Sequence, residues 1–250
     1  MTNKQQKIIQ QLQTAKFREK FGFFVLEGTK IVREFCHEMP EQIEWLAATA
    51  AWLDEHSAWL KNVPFQIVET TDAVLKANSA LQTSPSVLLL ARQLSTQRIE
   101  KQLPTGISLV LETIQDPGNM GTIIRTADWF GVQRIYLSKD CVDIYNPKVI
   151  QASMGSLWRV EVEIIADLSH FLQKNAAIPV FGAVLGGENL YEMAAIPETA
   201  FLIMGNESKG ISAALSPFLT KKITIPRIGR AESLNVAIAT GILLAYFKKA

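Results

Sequence analysis

The stretch Asp116-Pro117-Gly118-Asn119-Met120-Gly121-Thr122-Ile123-Ile124-Arg125-Thr126-Ala127 decides the reading of this chain. It follows a short apolar run, residues 107–114, of strand character, and Asp116-Pro117-Gly118 is a turn signal. From Asn119 the period becomes helical, with Met120, Ile123, Ile124, Ala127 and Phe130 on one face. Arg125 falls on another side of that helix, open to a partner. A strand handing over to a turn and a helix is the repeating step of α/β proteins, which bind ligands at the carboxyl ends of strands.

Two further strand ends carry polar clusters. The run 201–204 breaks at Gly205-Asn206-Glu207-Ser208-Lys209-Gly210. A short strand over 221–226 precedes Ser233-Leu234-Asn235, and Ser233 is placed to cap a final apolar helix, 236–247. Each cluster has an ordinary explanation when taken singly. Ser233 and Asn119 could be caps, Gly205 and Gly210 turn glycines, and Arg125 a solvated surface residue. Three clusters of chemically useful residues at strand ends of one predicted domain point instead to a site.

Working outward, the front of the chain alternates between strands (23–26, 43–48, 65–68, 87–91) and helices (29–38, 51–60, 71–80) behind a polar helix at 3–14. The polar stretch 94–106 reads as a linker. The expected organisation is therefore two α/β domains, 1–100 and 101–250, and a hydrophobic fraction of 48% is ample for a core in each. Trp45, Trp52 and Trp59, spaced by seven, read as core or interface. No apolar run reaches membrane-spanning length and the polar start lacks a signal peptide's apolar core, so no membrane partner is expected.

Cys36 and Cys141 are too few for a disulfide framework and are not spaced for zinc. A cytoplasmic protein without a metal is expected. The three histidines, His37, His56 and His170, lie away from the clusters and read as structural or surface residues. A formal net charge of +1 conceals an uneven distribution: residues 1–34 carry seven Lys and Arg against three Glu, and Lys221, Lys222, Arg227 and Arg230 precede the last cluster. Such patches suit salt-sensitive contacts to nucleic-acid phosphates.

The run 116–127, the run Met204 to Gly210, and Ile223-Thr224-Ile225-Pro226 through Glu232-Ser233-Leu234-Asn235-Val236-Ala237 resemble the three signature motifs of the SpoU (TrmH) family of RNA ribose 2'-O-methyltransferases. Asn146-Pro147-Lys148 and Ser153-Met154-Gly155-Ser156 resemble the segment between the first two motifs. Arg18, Phe21, Glu27 and Gly28 look like the start of the substrate-binding domain found in many members. The resemblance implies a C-terminal trefoil-knotted α/β methyltransferase domain behind a small α/β/α ribosomal-protein-like domain. It further implies S-adenosylmethionine as cofactor, RNA as partner, most of all ribosomal RNA, and a homodimer in which the arginine motif can complete the partner's site. Transfer RNA, or RNA binding without catalysis, are the alternative readings.

Carried over residue by residue, the resemblance implies Arg125, Asn119, Glu207, Ser233 and Asn235 as the catalytic set, with Gly205, Ile225, Leu234 and Leu185 against the cofactor. A ribose hydroxyl is a weak nucleophile at neutral pH, so transfer requires alignment with the methyl group and removal of a proton. A guanidinium, with a pKa above about 12, is a poor proton acceptor. Arg125 suits a bidentate grip on phosphate or ribose that stabilises the developing alkoxide, with Glu207 as its partner charge. No Gly-x-Gly-x-x-Gly run follows a strand, which argues against a nicotinamide enzyme; open-sheet methyltransferases would likewise show a glycine-rich first loop.

Overall fold

The computed structural model describes residues 1–94, 105–193 and 196–248. The chain forms two compact units: Met1–Ser95 with Tyr145–Gly155, and Thr96–Ile144 with Ser156–Ala250. The linker expected at 94–106 falls almost wholly outside the described residues.

In the first unit, β1 (Phe23–Glu27), β2 (Ile43–Thr49), β3 (Gln66–Thr70) and β4 (Val87–Arg92) form a sheet of order β1-β4-β2-β3. β4 runs antiparallel to both neighbours, and β2 and β3 are parallel. Val87 to Ala91 are buried without a break, as a central strand covered on both faces requires. One face packs Val25, Trp45, Ala47, Leu88 and Leu90 under Ile9 and Leu12, and under Leu75 of α6 (Asp72–Asn78). On the other, Phe24 meets Phe35 of α3 (Thr29–Glu38) edge-on and Tyr145 at 4.9 Å between ring centroids. Tyr145 leads into α8 (Pro147–Ser153), whose Gln151 donates to the Glu27 carbonyl at 2.9 Å. This unit therefore recruits the segment 145–155 from beyond residue 100.

Two helices differ from the expectation. The one expected at 3–14 ends at Gln11 (α1, Asn3–Gln11), and a further helix that the sequence reading does not contain, α2 (Ala15–Phe21), follows it. Arg18 of α2 is buried and donates from Nη1 to the Leu12 carbonyl at 2.7 Å, a backbone acceptor left open at the end of α1. The one expected at 51–60 divides into α4 (Ala50–Glu55) and α5 (Ser57–Leu60) at His56. The His56 ring stacks on Trp52 at 4.2 Å, with Nδ1 3.0 Å from the Trp52 carbonyl. Trp45 and Trp52 are core residues and His56 is structural, as expected.

Cys36, on the buried side of α3, is 7% exposed, and burial pushes its thiol up to about 12 from an ordinary value of 9.0. The unfolded chain then loses this proton first, so the contribution to stability is complete below about pH 9 and is lost as pH rises towards about 12. Urea midpoints measured from pH 8 upward should fall faster for wild type than for Cys36→Ala; parallel curves would contradict the assignment.

The second unit is built on a parallel sheet. β5 (Ile107–Leu111), β6 (Arg134–Ser138), β7 (Glu161–Ile165), β8 (Val180–Asn189), β9 (Ala200–Met204) and β10 (Lys221–Thr224) lie in the order β10-β8-β9-β5-β6-β7. β5 and β9 are the central pair, and every residue of both is buried. On one face Val110, Tyr136, Phe201 and Ile203 pack against Leu168 and Leu172 of α9 (Leu168–Lys174). α7 (Pro117–Trp129) and α10 (Val236–Phe247) pack on each other, with Gly241 of α10 facing Thr126 of α7. The chain runs outward from β5 through β6 to β7, then crosses to lay β8 and β9 on the other side of β5. That reversal places the loops after β5 and β9 side by side, where open α/β sheets hold ligands. No helix among the described residues is long and apolar enough to cross a membrane.

Candidate active site

Three loops converge at the carboxyl ends of β5, β9 and β10. After β5, Asp116 rather than Asn119 caps α7: its Oδ1 accepts the Asn119 N–H at 2.7 Å, and Pro117 fills a first-turn position that needs no donor. Asn119 therefore lies inside the first turn with its side-chain amide free for other contacts. Its Nδ2 donates to Glu207 Oε1 at 3.1 Å, and its Oδ1 accepts from Asn235 Nδ2 at 2.8 Å. Asn235, in turn, caps α10 by accepting from the N–H groups of Ala237 and Ile238. The cap expected at Ser233 thus belongs to Asn235, because the helix begins two residues later than a Ser233 cap would allow. One chain of side-chain hydrogen bonds, Asn235 to Asn119 to Glu207, ties all three loops together.

The loop after β9 is a compact turn. Asn206 Oδ1 accepts from the N–H groups of Ser208 and Lys209 at 3.0 and 3.1 Å, and Asn206 and Gly210 exchange backbone hydrogen bonds. Gly205 is buried against this turn so closely that an added Cβ would overlap the backbone of Gly210 and Ile211. On the far side β8 loops out. Lys222 aligns with Gly182 but Ile223 with Glu188, so residues 183–187 are extra. Gly187 closes this excursion against β10, since a Cβ there would lie 2.6 Å from the Lys222 carbonyl oxygen.

Between these loops lies a cavity of about 600 Å³. Leu185, Gly205, Ile225 and Leu234 all border it, as do Glu207 and Ser233. Its apolar rim is open: Leu185 is 77% and Leu234 49% exposed, and Ile228 is fully exposed. A volume of this size and an apolar wall with a few polar groups fit an organic cofactor. Asn119 and Asn235 stand beside the cavity without bordering it.

Arg125 lies on the outward side of α7, as its helical phase predicts, but without the partner charge expected for it. It is exposed on α7 in the stripe Thr122, Arg125, Thr126 and Trp129, and has no hydrogen-bond or ion-pair partner among the described residues. Glu207, expected to pair with Arg125, is instead engaged by Asn119. An arginine six residues along a helix from Asn119 points about 120° away from it, which explains why one subunit does not bring them together. The basic patches are also smaller than their composition suggests. Arg18 is buried, and Lys221 pairs with Glu188 at 3.2 Å.

Asp116 and Asn206 were not singled out from the sequence. An Asp-Pro pair opening the helix was a legible cap signal for the first. An Asn inside a glycine-flanked polar loop was the corresponding signal for the second.

A model of the SpoU rRNA Methylase family matches residues 106–245, and a model of the MRM3-like substrate binding domain matches residues 3–89. A TrmH-family protein structure from Porphyromonas gingivalis is 34% identical and superposes with a TM-score of 0.86, covering 99% of this chain and 98% of that one. The AdoMet-bound rRNA methyltransferase from Sinorhizobium meliloti is 27% identical with a TM-score of 0.84, covering 100% and 95%. RlmP of Bacillus subtilis, a 23S rRNA (guanosine(2553)-2'-O)-methyltransferase, is 28% identical over 98% of this chain and 96% of its own length. With its three loops and its full length so matched, the chain belongs to the SpoU rRNA methylase family.

Proposed function

We propose that the protein transfers a methyl group from S-adenosylmethionine to a ribose 2'-hydroxyl of ribosomal RNA. The observation that carries this reading is the Asn235–Asn119–Glu207 hydrogen-bond chain beside the cavity edged by Leu185, Gly205, Ile225 and Leu234. The named activity of RlmP and the AdoMet-bound state of the Sinorhizobium meliloti enzyme support it.

When bound, S-adenosylmethionine supplies a methyl group made electrophilic by its sulfonium. Leu185, Ile225 and Leu234 would hold an apolar surface of the cofactor, and the closely packed Gly205 would let it approach the backbone. Glu207, held by the Asn119 amide with Asn235 behind it, gives the cavity a fixed polar group, and Ser233, exposed at the rim, adds a hydroxyl for the incoming ribose. Arg125 holds the phosphate or the oxygen gaining negative charge, where a guanidinium fork is most effective.

A homodimer belongs to this proposal. α10 is apolar around its circumference, yet Ile238 is 55% exposed, and Trp129 on the neighbouring α7 is 84% exposed. A second copy covering this surface would bury the stripe that carries Arg125 and bring it to the partner's cavity. The trefoil knot of the C-terminal domain, the boundary near residue 100 and a cytoplasmic location are parts of the same reading. RNA capture by the front of the chain is supported by exposed Lys4, Lys7, Lys16, Lys20, Lys30 and Arg33.

The test is transfer from labelled S-adenosylmethionine to unmodified ribosomal RNA and, separately, transfer RNA. Label in ribosomal RNA alone is expected. Label in transfer RNA alone would replace the substrate class, and cofactor binding with no label in either RNA or in an assembling ribosomal particle would favour an RNA-binding protein without catalysis.

A further inference from the structure

Thr113 lies between β5 and the Asp116 cap with φ of 56°, in the left-handed region that a β-branched residue seldom enters. Its backbone is held from two sides. The Thr113 N–H donates to Ser138 Oγ at 2.9 Å, and its carbonyl accepts from Asn206 Nδ2, also at 2.9 Å. The flanking residues are tied as well: Ile114 N–H donates to Cys141 Sγ at 3.3 Å, and Glu112 Oε2 accepts the Ser212 N–H at 2.8 Å. A strained turn persists only where its surroundings over-determine it, and such turns concentrate at functional sites.

The two ends of the Asn206 amide have separable tasks. The oxygen faces the N–H groups of Ser208 and Lys209 and shapes the residue's own loop, whereas the nitrogen reaches across to the Thr113 carbonyl at 2.9 Å, with a longer 3.5 Å contact to Glu207 Oε2. Glu207 follows Asn206 directly, and Asp116 comes three residues after Thr113. A change in the Thr113 backbone therefore moves the start of α7, and with it Asn119 and Arg125, relative to Glu207.

We propose that Asn206 is a positioning residue for the reaction: by holding Thr113 in its left-handed turn, its amide nitrogen sets the register between the Asn119 loop and the Glu207 loop. The inference rests on the methyl-transfer reading above and adds a residue to it. Nothing in it requires Asn206 to touch the reacting atoms.

Asn206→Asp in the full-length protein separates the two tasks. It keeps an oxygen for Ser208 and Lys209 but replaces the donor towards Thr113 by a second oxygen, which the carbonyl repels. The same oxygen stands near Glu207 Oε2, and only the part of the loss that Thr113→Gly relieves is assigned to the clamp. Thr113→Gly removes the cost of the left-handed turn and with it the need for a clamp. Asn206→Asp should lower kcat about tenfold or more at saturating cofactor and RNA, with both KM values changing within about threefold, and the loss should shrink by at least about threefold in the Thr113→Gly background. An unchanged kcat, or an equal loss in both backgrounds, overturns the proposal. Should Asn206→Asp fail to fold by circular dichroism, Asn206→Ser takes its place under the same criterion, since a serine hydroxyl can serve the local turn but is too short to reach Thr113. A wild-type protein that methylates no RNA would sink the methyl-transfer reading itself. The clamp is then judged from thermal midpoints of the four proteins with S-adenosylmethionine present, where additivity overturns it.

Discussion

Arg125→Ala should lose methyl transfer almost completely while still binding S-adenosylmethionine. Arg125 is exposed, has no partner among the described residues and does not border the cavity, so its removal leaves the fold and the cofactor walls intact. What it removes is the fixed positive group for a developing alkoxide. Losing one such group costs about 100- to 1000-fold in kcat. Calorimetric affinity for S-adenosylmethionine should stay within about threefold of wild type, which is under 1 kcal/mol. Near-normal single-turnover rates in the mutant would take Arg125 out of the chemistry. In the dimeric reading, subunits carrying Arg125→Ala should also regain activity when mixed with subunits defective only in cofactor binding.

Gly205→Ala should act in the opposite way, by destroying the cofactor site. Gly205 is buried at the end of β9, and its added Cβ would overlap backbone atoms of Gly210 and Ile211, which no rotamer change can relieve. The 206–210 turn must move outward, and the cavity wall moves with it. Overpacking of this kind costs about 1–3 kcal/mol, so affinity for S-adenosylmethionine should fall by about tenfold to 100-fold, with transfer at low cofactor falling in parallel. The mutant should retain its RNA affinity in a filter-binding assay, because the exposed cations 4–33 are untouched. Unchanged cofactor affinity would remove the Gly205 loop from the cavity wall.

The alternation of the front half was legible because its strands are short apolar runs and its helices carry one apolar face. The helix 29–38 and the final helix 236–247 fall where expected, and the strands that were expected agree within a few residues at each end, whereas β6, β7 and β8 were not read from the sequence. What escaped were features set by side chains meeting across distance. Arg18, in a helix that was not expected, reaches back to the Leu12 carbonyl at the end of α1, and the His56 ring stacks on Trp52 where the helix expected at 51–60 divides. Neither leaves a periodicity. α8 reads locally as a short Pro-initiated helix, but nothing in its own residues says that it packs beside Phe24 and Glu27, more than 100 positions earlier.

The site was legible at the level of residue type and only partly at the level of contact. Leu185, Gly205, Ile225 and Leu234 border one cavity, and Asn119, Glu207 and Asn235 join in one hydrogen-bond chain. The helical phase that sets Arg125 apart from the apolar face also decides against Glu207 as its partner. Counting 3.6 residues per turn from Asn119 turns Arg125 away from Glu207 and onto the side of α7 that also carries Trp129. The pairing between Arg125 and Glu207 was inferred from charge alone, and that geometry does not allow it within one subunit. Asp116, at the head of the same helix, takes the capping role, which frees the Asn119 amide to link the other two loops.

The position of the transferred methyl tests the central claim most directly. Ribosomal RNA incubated with the protein and isotopically labelled S-adenosylmethionine would be digested to nucleosides and analysed by mass spectrometry. The account predicts label in a single 2'-O-methylated nucleoside, carried on the ribose fragment and absent with Arg125→Ala. Label on the base fragment, or label on the ribose that persists in Arg125→Ala, would contradict it.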